Sequence, residues 1–130
     1  MKTIEQITKE YLEFSVQEAD KCKNQIQLLE NEDKNDEANL EKVKLNIYGI
    51  FETLIKTSEK KVLNQKQLEE QQKVSSFCEE FLAFFEKIPE NWRINYEKAK
   101  EHNNVIEYVI EENKLSVSEQ LKNQFNRIIT

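Results

Sequence analysis

Glycine and proline are nearly missing from this sequence of 130 residues, which contains only Gly49 and Pro89. Tight turns between strands use these two residue types heavily, so their scarcity argues against a β sandwich or a dinucleotide-binding α/β domain. A phosphate-binding loop needs several glycines and is excluded for the same reason. Glu, Lys, Gln, Leu and Ile are abundant, and these residues favour long helices. We therefore expect an all-α protein.

Histidine and cysteine are also rare, which limits the metal and thiol chemistry open to the chain. The only histidine is His102, and Ala99 stands three positions before it, so the Glu-x-x-His pattern of di-iron bundles is absent. Cys22 and Cys78 are too few for a disulfide framework and too far apart for a CxxC metal site. We expect no metal and no cofactor, and two reduced thiols in a cytoplasmic protein.

Long apolar runs and an excess of positive charge are absent as well. No stretch approaches the roughly 20 apolar residues of a membrane helix, and the first residues do not resemble a secretion signal. The 19 basic and 25 acidic residues give a formal net charge of −6. A negative chain is repelled by the phosphate backbone of nucleic acids. We therefore expect neither a membrane nor a nucleic-acid partner.

The sequence does contain apolar residues at helical spacing along its whole length. This spacing predicts five helices, at about residues 3–30, 37–60, 65–87, 90–112 and 117–128. Thr3 and Gln6 fit a capping box at the start of the first helix, and Ser116 and Glu119 fit one at the start of the last. Pro89 suits the first position of the fourth helix, where its missing amide is not needed.

Short connections between these helices favour antiparallel neighbours. We expect residues 1–130 to form one domain, an antiparallel up-and-down four-helix bundle with a short fifth helix at the C-terminus. Asn64 is the expected N-cap of the third helix, with an uninterrupted helix through residues 58–64 as the alternative. The first turns of the third helix carry one apolar residue, Leu68, which leaves a gap beside them. Either the fifth helix fills this gap or it stays open as a groove for a partner helix.

Candidate catalytic groups do not gather into a known arrangement. The acidic pairs, Glu111-Glu112 among them, lack the carboxylates four residues further on that would complete a metal-binding face. We interpret them as parts of solvated surfaces. Cys78 and His102 are the one Cys–His combination that neighbouring helices could bring together, but the phenylalanines around Cys78 predict an inert thiol. The sequence therefore predicts a protein that is not an enzyme.

The predicted fourth helix carries apolar residues on two faces, and the second face is the candidate interaction surface. It consists of Ile94, Val105 and Val109, flanked by His102 and Tyr108. Uncovered apolar patches mark partner surfaces. We therefore expect a role in protein–protein interaction, with a homodimer as one form of it.

The alternative is a bundle that binds a small ligand, or an enzyme with an unusual polar site in its core. It rests on Asn103, which falls on the predicted core face of the fourth helix. A buried amide needs hydrogen-bond partners, and these could belong to a ligand.

Overall fold

A computed structural model describes the whole chain, residues 1–130, and every regular element in it is an α-helix. This confirms the expected all-α class. The five helices are α1 (Ile4–Asn31), α2 (Asn35–Leu63), α3 (Glu70–Lys87), α4 (Glu90–Glu101) and α5 (Val105–Ile129).

The start of α1 follows the predicted capping box. Thr3 Oγ1 accepts a hydrogen bond of 3.1 Å from the Gln6 amide, and Gln6 Oε1 accepts one of 2.9 Å from the Thr3 amide. Two amides that the helix itself cannot pair are satisfied in this way.

The predicted start of the third helix is wrong by about one turn. Asn64 ends α2, where its amide donates to the carbonyl oxygen of Lys60, and it does not cap the next helix. α3 begins at Glu70, because Gln72 Oε1 accepts a 3.0 Å hydrogen bond from the amide of Glu69. Both the predicted cap and the uninterrupted alternative therefore misplace a break that lies at residues 64–69.

The predicted helices 90–112 and 117–128 are also corrected by the structure. The chain breaks after Glu101, so the short helix is α4 and the C-terminal helix is one of the long ones. Asn103 has a φ of 54°, a left-handed conformation that asparagine adopts more readily than most residues. Asn104 Oδ1 then accepts a 3.2 Å hydrogen bond from the amide of Glu107 and caps α5. The expected capping box at Ser116 lies inside α5.

Contacts between helices show which ends lie together. Lys2 Nζ donates a 2.9 Å hydrogen bond to the carbonyl oxygen of Ile128, so the start of α1 lies beside the end of α5. At the other end of α1, Glu30 pairs with Lys42 of α2 at 3.0 Å. α4 packs mainly on α5 and follows α3 through the buried Pro89.

A single core cluster of 17 buried side chains joins α1, α2, α3 and α5. Its centre is aromatic: the ring of Phe81 lies 5.1 Å from Tyr11, 6.5 Å from Phe51 and 4.8 Å from Phe125, centroid to centroid, all near edge-to-face. Such pairs add to the free energy gained by burying the rings. α4 contributes no member, the first α2 member is Ile47, and the first α5 member is Val117. The cluster therefore ends well before the starts of α2 and α5, where Ala38 is the one further buried apolar residue of these two helices.

Phe81→Ala should lower the free energy of unfolding by about 3–5 kcal/mol, because it opens a cavity where four helices meet. Phe84→Ala is the matched control, since Phe84 is only partly buried beside the same cluster, and it should cost clearly less. Urea denaturation followed by circular dichroism measures both. Equal losses would contradict the central place of Phe81.

Gly49→Ala should raise the free energy of unfolding by up to about 1 kcal/mol, because alanine is a better helix former than glycine. Gly49 lies exposed inside α2, and an added Cβ would meet no atom within 4 Å. A higher midpoint in urea checks this, whereas an unchanged or lower midpoint would mean that the extra methyl group is not accommodated.

Candidate functional site

An apolar groove of about 360 Å³ opens between the first turns of α2 and the first turns of α5, and we call it the α2–α5 groove. It lies where the core cluster has already ended on both helices. Its lining consists of six aliphatic and two polar side chains: Leu40, Val43, Val105, Ile106, Val109 and Ile110, with Asp36 and Asn39.

The α5 wall of the groove carries the most exposed aliphatic residues of any helix in this protein. Val105 is 68% exposed and Ile106 is 77% exposed. Leaving such side chains in water forgoes about 25 cal/mol for each Å² of apolar surface that burial would remove from water. The groove is thus an apolar surface that this chain leaves exposed to solvent.

The structure brings together only part of the predicted interaction surface. Val105 and Val109 line the groove, whereas Ile94 lies on α4, 45% exposed, and does not line it. His102 is exposed just after the end of α4. Four residues that line the groove were not part of the predicted surface: Leu40, Val43, Ile106 and Ile110.

Tyr108 lies apart from the groove and packs on α4. Its ring stacks on Tyr96 with 4.8 Å between centroids, and the two hydroxyl oxygens are 3.3 Å apart. The hydrogen bond with Tyr96, helped by Glu112, raises the pKa of Tyr108 to about 12. Lys100 Nζ lies 5.4 Å from the centre of the Tyr96 ring. This polar and aromatic cluster attaches α4 to α5.

Asn103 is not a core residue, which corrects the basis of the alternative function. It is exposed in the turn between α4 and α5, and its backbone conformation explains its presence there. Two consecutive asparagines with a glutamate three residues after the second were the sequence signal for this break. Because apolar residues continue at helical spacing on both sides of this break, the spacing alone did not reveal it.

Glu111 is a buried carboxylate that the sequence interpretation wrongly placed on a solvated surface. Its side chain is 2% exposed, and Oε1 accepts a 3.2 Å hydrogen bond from Lys114 Nζ. Oε2 is buried without a hydrogen-bond partner. Burial raises the pKa of Glu111, and Glu107 raises it further, while Lys114 lowers it.

A second set of hydrogen-bonded polar side chains links α1, α2 and α5. The Tyr48 hydroxyl donates to Gln120 Oε1, and Gln120 Nε2 donates a 2.9 Å hydrogen bond to Glu18 Oε1. Cys22 lies buried nearby, and burial is the main reason that its pKa is raised. Burial raises the pKa of the Cys78 thiol as well. Both thiols are free, and a raised pKa favours the protonated form of each.

The folded chain contains neither a candidate metal site nor a helix that could span a membrane. No three side chains among its Cys, His, Asp and Glu residues are placed so that they could hold a metal ion. None of the helices combines the length and the apolar character needed to cross a bilayer. Comparison with protein-family models, curated proteins and solved structures finds no match to this chain.

Glu111→Gln should raise the free energy of unfolding at pH 7, because the raised pKa means that burial of the charged carboxylate costs more than Lys114 offsets, and glutamine keeps the shape of the side chain without the charge. A carboxyl whose pKa is higher in the folded than in the unfolded state destabilises the fold as pH rises through the interval between the two values. The gain should therefore shrink as the pH falls toward about 4.3, the ordinary glutamate value, and should be lost below it.

Urea denaturation at a series of pH values measures this difference. Glu119→Gln is the control, since Glu119 is exposed on the same helix, and it should change little. If Glu111→Gln is less stable than the unchanged protein at pH 7, the ion pair with Lys114 outweighs the cost of burial.

Proposed function

We propose that this chain is a non-enzymatic protein-interaction module that acts in the cytoplasm through the α2–α5 groove. The observation that carries the proposal is the pair of exposed residues Val105 and Ile106 at the edge of an apolar groove. Apolar surface of this kind, bordered by polar residues, is typical of partner sites.

The arrangement of the helices supports this proposal, and we infer that it is antiparallel and up-and-down. Lys2 meets Ile128, Glu30 meets Lys42, and Lys61 of α2 pairs with Glu80 of α3 at 3.3 Å. In such a bundle α3 and α4 follow one another along the same side of α5. The starts of α2 and α5 then lie side by side at one end, beyond the aromatic core.

Chemistry within the chain favours a binding role over catalysis. The thiols of Cys22 and Cys78 have raised pKa values, and a protonated thiol is a poor nucleophile. His102 is exposed in a turn. Since Asn103 is exposed as well, a polar core site around it is no longer supported. The net charge of −6 continues to disfavour a nucleic-acid partner.

The partner is either a second copy of the chain, as in the homodimer predicted from the sequence, or a different protein. Light scattering coupled to size-exclusion chromatography tests for the first, and co-purification from cell extract with mass spectrometry tests for the second. The partner, once found, should be lost in Ile106→Lys, because burying a charge in an apolar contact is costly.

Leu28→Lys is the matched control, since Leu28 is 56% exposed on α1 and does not line the groove. It introduces the same charge and should retain the partner. The proposal would be overturned if the chain is a strict monomer and no protein co-purifies with it. It would also be overturned if both variants lose the partner equally.

A further inference from the structure

We propose that the α2–α5 groove binds a short amphipathic helix of a different protein, with aliphatic side chains inserted in the groove and Lys or Arg beside them. This inference rests on the proposed function and specifies its partner. Size, charge and the surface of the chain itself support it in turn.

The size of the groove fits a helix better than a second folded domain. The α2 wall places Asp36, Asn39, Leu40 and Val43 at helical spacing, and the α5 wall does the same from Val105 to Ile110. Each wall is therefore about two turns long, or roughly 10 Å. A bound helix would insert two or three side chains at i, i+4 and i+7 over that length.

A dimer of two copies needs a larger surface. Stable protein interfaces use about 20–30 residues on each side, whereas eight residues line this groove. Outside the groove, the exposed large apolar residues are Met1, Val16, Leu28 and Ile94, and no two of them stand one helical turn apart, so no other helix surface of the chain would fit the groove.

The charge around the groove favours a basic partner. The first turns of α2 and α5 carry Asp36, which lines the groove, and Glu37 and Glu107, which do not line it; none of the three forms an ion pair. No basic side chain lines the groove. Each helix start contributes roughly half a positive charge, so the two starts offset about one of the three carboxylates. The remaining negative charge attracts Lys and Arg on the flanks of a bound helix.

The probe is a fluorescein-labelled helical peptide of about 15 residues with leucines at i, i+4 and i+7 and lysines on both flanks, compared with the same peptide carrying glutamate in place of lysine. Fluorescence anisotropy measures binding to the full chain. We expect saturable 1:1 binding of the lysine peptide, and binding of the glutamate peptide that is at least about tenfold weaker.

Variants of the protein separate the apolar and the charged contributions. Ile106→Lys should weaken binding of the lysine peptide about tenfold or more, while Leu28→Lys should leave it nearly unchanged. Asp36→Asn combined with Glu37→Gln should weaken it less and should flatten its dependence on salt. Thermal melting by circular dichroism confirms that each variant is folded.

The outcomes distinguish failure of the helix proposal from failure of the broader interaction role. No saturable binding of the lysine peptide, equal binding of both peptides, or equal binding by Ile106→Lys overturns the helix proposal. The broader interaction role survives that result if the unchanged chain still retains a partner, or a second copy, that Ile106→Lys loses. If neither is found, both proposals fail.

Discussion

One aromatic ring makes the contacts on which the rest of the fold depends. Phe81 of α3 touches Tyr11 of α1, Phe51 of α2 and Phe125 of α5, so all four long helices meet around it. Burial of large rings contributes strongly to the stability of a core of this kind. Most phenylalanines lie at this level, whereas the groove between the starts of α2 and α5 is lined by smaller aliphatic side chains.

The turn at Asn103 and Asn104 then decides which residues face each other beyond that core. By ending one helix and starting the next, it folds α4 back along α5 and places Val105 and Ile106 beside Leu40 and Val43. Had the helix continued, as predicted from the apolar spacing, Val105 and Ile106 would belong to the same helix as Tyr96. Asn103, with its φ of 54°, is thus the residue at which the chain turns from α4 into α5.

Features that depend on neighbours in sequence were predictable, and features that depend on distant neighbours were not. The all-α class, the Thr3 cap and most of α1 and α2 follow from composition and helical spacing. The burial of Glu111 does not, because a carboxylate in a polar stretch gives no sign that other helices cover it. Helix breaks were missed where apolar spacing continued across them, as it does around Asn103.

The hydrogen bond between Lys2 and Ile128 has a practical consequence for handling this molecule. It places residues 1 and 130 together at the far end of α5, whose 25 residues are roughly 37 Å long. An affinity tag, a dye or a surface linker fused at either position would therefore point away from Val105 and Ile106. The protein can be immobilised on a sensor chip through either terminus, and the end of the molecule that carries the groove stays free in solution.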